Sequence, residues 1–102
     1  MRKIYLSGPM TGFDDLNYPA FMEAAEKLRK EGYSVYNPAE FTDDPDNFDA
    51  RAAFNQYCDV ILNWADAMVI LPEWYYSQGV KVEKTLAKII GLEILFYEDM
   101  EL

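Results

Sequence analysis

Glu83 has the setting best suited to chemistry in this sequence. It follows the run Asp66-Ala67-Met68-Val69-Ile70-Leu71-Pro72 and the turn Ser77-Gln78-Gly79. That run reads as a buried strand broken at Pro72, and the turn opens a helix over about 80–90. At roughly 100° per residue, Lys81, Lys84, Thr85 and Lys88 share one side of this helix. Val82, Leu86, Ala87, Ile89 and Ile90 share the other, and Glu83 projects among them. A carboxylate on an apolar face is desolvated and its pKa raised unless a neighbour stabilises the charge. The plainer alternative is an acid near a helix start that complements the macrodipole. Ser77 and Gly79 offer a hydroxyl and backbone N–H groups to a phosphate or carboxylate. A capping serine and a glycine chosen for backbone shape explain the same turn. Tyr5 adds a phenol able to hydrogen-bond a carboxylate, although strand tyrosines are commonly core residues.

Other chemistries are narrowed by what the chain lacks. Its one cysteine, Cys58, allows no intrachain disulfide, and with no histidine a conventional zinc or imidazole-base site is excluded. No metal and no cofactor is expected. A formal charge of −9 with nine scattered Lys and Arg argues against a nucleic acid polymer as partner. No apolar run reaches membrane-spanning length, and Met1-Arg2-Lys3 leads directly into a strand, so a cytoplasmic protein with no membrane partner is expected. A chain of 102 residues, 51% hydrophobic, makes one compact domain.

The elements that must position these residues follow in order. Residues 3–6 begin a strand that stops in the glycine- and proline-rich loop 7–12. Pro19 at a helix start and Gly32 as its stop bound a helix over about 19–31, with Phe21, Ala24, Ala25 and Leu28 at core spacing. Residues 33–36 form a second strand ending at Asn37-Pro38. The aspartate-rich stretch 41–49 reads as a loop, either a flap over a site or a solvated connection, and lacks calcium-loop spacing. A helix over about 50–65 presents Ala53, Tyr57, Val60, Ile61 and Trp64, and strands over 67–71 and 93–97 flank the Glu83 helix. The tail 98–102 is expected to fray. The alternation predicts an α/β, Rossmann-like or flavodoxin-like domain with a mostly parallel sheet of four to five strands and helices on both faces. Ligands then bind beyond the carboxyl ends of the strands. Loop 7–12, Asn37 and the segment 73–79 meet there, which makes Ser7, Gly8, Pro9, Met10, Asn37, Trp74, Ser77 and Gly79 the expected substrate contacts.

These residues resemble a known family. Ile4-Tyr5-Leu6-Ser7-Gly8-Pro9, Ala65-Asp66 and Ser77-x-Gly79-x-x-x-Glu83-x-x-x-Ala87-x-x-x-Gly91 are similar to the nucleoside 2-deoxyribosyltransferase superfamily. A group of small relatives with Gly-Pro-Met-x-Gly, Asn-Pro, Leu-Pro-x-Trp and Ser-x-Gly is especially similar. The resemblance spans nearly the whole chain. It implies cleavage of the bond between a base and a 2-deoxyribose, by hydrolysis or by transfer, on a deoxynucleoside or its 5′-monophosphate. Glu83 matches the family nucleophile and Tyr5 the tyrosine that holds it. Ser77 falls where the deoxynucleotide N-hydrolase branch binds a 5′-phosphate. The family's further aspartate falls at Cys58, with Asp59 offset by one, so Asp59 serves only if the helix is locally irregular. If that role is vacant, a non-catalytic module that binds or sequesters a nucleotide derivative is the alternative. The resemblance also implies a homo-oligomer, and the consecutive aromatics Trp74-Tyr75-Tyr76, at least one of them exposed, place Trp74 or Tyr75 near the contact.

Overall fold

The computed structural model describes residues 2–41 and 45–102. Four parallel strands form one sheet: β1 (Lys3–Ser7), β2 (Ser34–Tyr36), β3 (Ala67–Ile70) and β4 (Glu93–Phe96), in the order β2-β1-β3-β4. Helices α1 (Tyr18–Lys30), α2 (Ala50–Asn63) and α3 (Gln78–Ile89) make the connections. The sheet is thus at the four-strand end of the expectation. The order reverses between β1 and β3, so the two loops that leave these central strands open a crevice at their carboxyl ends.

Strand alternation assigns each face of the sheet its partner. Ile4 and Leu6 of β1, with Ala67 and Val69 of β3, pack against Phe21, Ala24, Ala25 and Leu28 of α1. Tyr5, Met68 and Ile70 point the other way, onto Ala53, Tyr57 and Ile61 of α2 and Val80 and Ala87 of α3. Period two therefore places Ser7 on the face of Tyr5. Register confirms the match, because Tyr5 lies opposite Met68 and Ser7 opposite Ile70.

Several local expectations change. On α3 the fully buried positions are Val80, Glu83 and Ala87, while Val82 and Ile89 stand 51% and 76% exposed. The face against the sheet is narrower than the apolar arc read from the sequence, and it is centred on Glu83. On α2, Val60 is only half-buried and Trp64 lies beyond the last helical residue. The tail is not loose throughout: Tyr97–Asp99 forms a short 3-10 turn, and Met100 packs on the α1 side of the core. Part of the aspartate-rich loop, 42–44, lies outside the described residues, and Pro45–Asn47 forms another 3-10 turn.

Candidate functional site

The crevice is a cavity of about 380 Å³ with Glu83 in its wall. The strand β3 ends at Ile70, Pro72 cannot prolong the ladder, and the chain reaches α3 through a 3-10 turn at Trp74–Tyr76. Ser77 caps α3, its Oγ accepting from the Val80 N–H at 3.2 Å. Glu83 then falls one turn beyond Val80, on the face pressed to the sheet, with only 6% of its surface exposed.

Two hydroxyls from β1 hold its carboxylate. The Tyr5 hydroxyl donates to Oε2 at 3.0 Å, and the Ser7 hydroxyl donates to Oε1 at 2.7 Å. Burial raises the carboxyl pKa, and these bonds from Ser7 and Tyr5 work against it; burial wins, and the value is pushed up to about 7. Burial and the adjacent Glu83 drive the Tyr5 phenol well above its ordinary 10.0, so it remains a proton donor. Tyr5 is itself fixed by rings, stacking on Tyr36 at 5.8 Å between centroids and tilted against Tyr57 at 6.2 Å. Tyr57 is anchored in turn by its hydroxyl, which donates to the Pro38 carbonyl at 3.2 Å.

The rest of the cavity is chiefly apolar and aromatic, with Phe48, Phe54, Tyr57 and Tyr76 on its walls. No lysine or arginine is among the described residues that line it. Its polar end is the start of α3. The N–H groups of Gln78 and Gly79 have no intrahelical acceptor, since those belong to the first turn. Gly79 is not required by packing: an added Cβ would meet only Ser77 Oγ, at 3.7 Å. Gly8 differs, because a Cβ there would come within 2.9 Å of Leu71 and 3.0 Å of Phe21.

The structure brings together Tyr5, Gly8, Met10, Ser77, Gly79 and Glu83 around one cavity. It does not bring the other sequence candidates there. Ser7 and Pro9 are buried behind the wall. Asn37 is occupied by the local fold, accepting from the Ala39 N–H at 3.0 Å. Trp74 packs on Phe96 at 5.8 Å between centroids, beneath the Lys84 ammonium. Asp59 is exposed on the outer face of α2, where it accepts from Asn63 Nδ2 at 2.7 Å. The helix has no irregularity that turns Asp59 inward; it runs unbroken over Ala50–Asn63. Cys58, half-buried, has its thiol pKa raised by burial and then by the field of Glu83. Phe48 comes from the stretch 41–49, read as either a flap over a site or a solvated connection, while Phe54, beside the core stripe of α2, was not legible as a cavity residue. Among the described residues no three acidic or cysteine side chains cluster as metal ligands would. Among the described residues no helix is long and apolar enough to cross a membrane.

Comparison with known proteins sets this chain in a family. A family profile described as a domain of unknown function, DUF4406, matches residues 2–96. No curated protein matches the chain. Among solved structures, the 2-deoxyribosyltransferase of Bacillus psychrosaccharolyticus is similar at a TM-score of 0.71 and 23% identity, over 92% of this chain and 70% of that one. A 2-deoxyribosyltransferase from Leishmania mexicana is similar at 0.70 and 18% identity, over 94% of this chain and 63% of that one. The chain therefore belongs to the DUF4406 family, and its α/β sheet is that of the 2-deoxyribosyltransferase fold.

Proposed function

We propose that the protein cleaves the N-glycosidic bond of a 2′-deoxynucleoside or its 5′-monophosphate, by hydrolysis or deoxyribosyl transfer, with Glu83 as nucleophile. The observation that carries this reading is the buried Glu83 carboxylate in the cavity wall, gripped on both oxygens by β1. A Glu83 oxygen attacks the anomeric carbon as the bond to the base breaks. The base leaves with the bonding pair and takes a proton from solvent. Water, or a second base, then attacks the same carbon, losing a proton to solvent and displacing the Glu83 carboxylate with its bonding pair, a double displacement that retains configuration. The aromatic walls suit a planar base. Ser77 and the Gln78 and Gly79 N–H groups receive the 5′ end, where binding energy away from the reacting carbon is gathered. Chromatography of free base after incubation with a panel of 2′-deoxynucleosides and their 5′-monophosphates tests this. Base release from at least one is expected, and none from any, at high enzyme concentration, overturns it.

The outward position of Asp59 favours a second reading, a module that binds a nucleotide derivative without turnover. Calorimetry with recovery of unchanged ligand supports that reading in place of the first.

We also propose a homo-oligomer. Tyr75 and Tyr76 are exposed beside the cavity, and Val82 and Ile89 leave apolar surface on α3. With Trp74 packed on Phe96, Tyr75 is the candidate of the two for the contact. Light scattering at micromolar concentration is expected to give a multiple of 11.8 kDa, and the protomer mass alone contradicts the assembly.

A further inference from the structure

Ser7 is the polar group in the neighbourhood of Glu83 that no substrate reaches. It is 1% exposed and lies behind the cavity wall, whereas Gly8, the next residue, lines the cavity. Its Oγ donates to Glu83 Oε1 over 2.7 Å, shorter than the 3.0 Å bond from Tyr5 to Oε2. The two bonds differ in how they are supported. The phenol stands at the end of a long ring wedged between Tyr36 and Tyr57. The serine hydroxyl is carried on a single Cβ from a β1 backbone paired on the β3 side, with Ser7 opposite Ile70.

We propose that Ser7 is a positioning residue for Glu83, a short rigid tether from β1 that fixes one carboxylate oxygen and favours the charged form from a side that substrate never occupies.

The groups facing Glu83 leave this task to few others. From β1 comes Tyr5, a donor. From α2 come the Tyr57 hydroxyl, committed to the Pro38 carbonyl, and the Cys58 thiol, both neutral at pH 7 with pKa values raised by burial first. From β3 come only Met68 and Ile70. On α3 itself Lys81 and Lys88 are exposed, and Lys84 lies over the Trp74 ring. No cation is among the described residues that line the cavity, so hydrogen bonds must do what an ion pair does in other buried carboxylate sites. The burial that pushes the carboxyl to about 7 is opposed by two bonds, with Ser7 the larger opposing cause. A bond to a charged acceptor is worth enough that losing one shifts a carboxyl by about one pKa unit or more.

The kinetic consequence rests on Glu83 acting as nucleophile, but the titration does not. With glutamate carboxyl carbons labelled, NMR follows the Glu83 resonance, assigned by its loss in Glu83→Gln. In Ser7→Ala its midpoint is expected to rise by about one unit or more, and Ser7→Thr, which keeps the hydroxyl, is expected to restore it. The acidic limb of kcat/KM on a responsive substrate is expected to move by the same amount, costing about fivefold or more at pH 7 and recovering at high pH, with KM nearly unchanged. An unchanged midpoint in folded Ser7→Ala overturns the proposal. Should that variant not fold, Ser7→Cys replaces the hydroxyl by a much weaker donor, and an unchanged midpoint there overturns it equally. If no variant nor the parent releases base, the proposed function fails while the titration still decides the role of Ser7.

Discussion

Glu83→Gln is expected to abolish nearly all base release, by about three orders of magnitude or more in kcat, while substrate affinity stays within a few-fold. Glutamine keeps the shape and can still meet both hydroxyls. The Tyr5 phenol donates to the amide oxygen, and the Ser7 hydroxyl turns to accept from the amide nitrogen. What is lost is the negative charge that bonds to the anomeric carbon, an interaction made fully only along the reaction path. Steady-state rates with calorimetric affinities on the same substrate separate the two effects. A loss of less than tenfold returns Glu83 to the role of a buried acid near a helix start.

The second large effect is on stability and runs in the opposite direction. The Glu83 carboxyl ionises near 7 in the folded chain against 4.5 ordinarily. Between those values the folded state holds the extra proton, so stability falls as pH rises from about 4.5 and levels off above about 7. Two and a half units correspond to roughly 3 kcal/mol of destabilisation once the group is charged. Glu83→Gln removes that cost. The variant is expected to unfold at higher temperature than the parent at pH 8, with the gap closing toward pH 4.5. A gap that does not change with pH contradicts the burial of an ionisable acid at this position. Loss of activity joined to a gain in stability is the pattern of a group placed for function against the preference of the core.

The sequence made the frame of this site legible because strong local signals agreed. Pro19 and Gly32 bound α1, the unbroken apolar run marks β3, and Ser77 with Gly79 marks the start of α3. Tyr5 and Glu83 meet because α3 is the helix that follows β3, the strand paired with β1. Ser7 carried a usable signal that the glycine and proline after it obscured. Counted as loop it points to substrate, and counted as strand it shares the face of Tyr5 and points to Glu83. Val82 and Ile89 misled because an apolar arc on a small domain's outer helix can exceed what the sheet covers. Phe54 was hidden because long-range closure, rather than any local period, brings the start of α2 over the cavity. Asp59 follows its helical phase outward, as an undistorted α2 requires.

The most direct test of Glu83 as nucleophile is to look for the bond it is proposed to form. After incubation with the panel of 2′-deoxynucleosides and 5′-monophosphates, an acid quench and peptide mass spectrometry would reveal the sugar ester of the intermediate. The expected result is a gain equal to the deoxyribosyl or deoxyribosyl phosphate group on the peptide containing Glu83, absent when Glu83→Gln is treated identically. Base release with the adduct on another residue, or an adduct that persists in Glu83→Gln, contradicts the account.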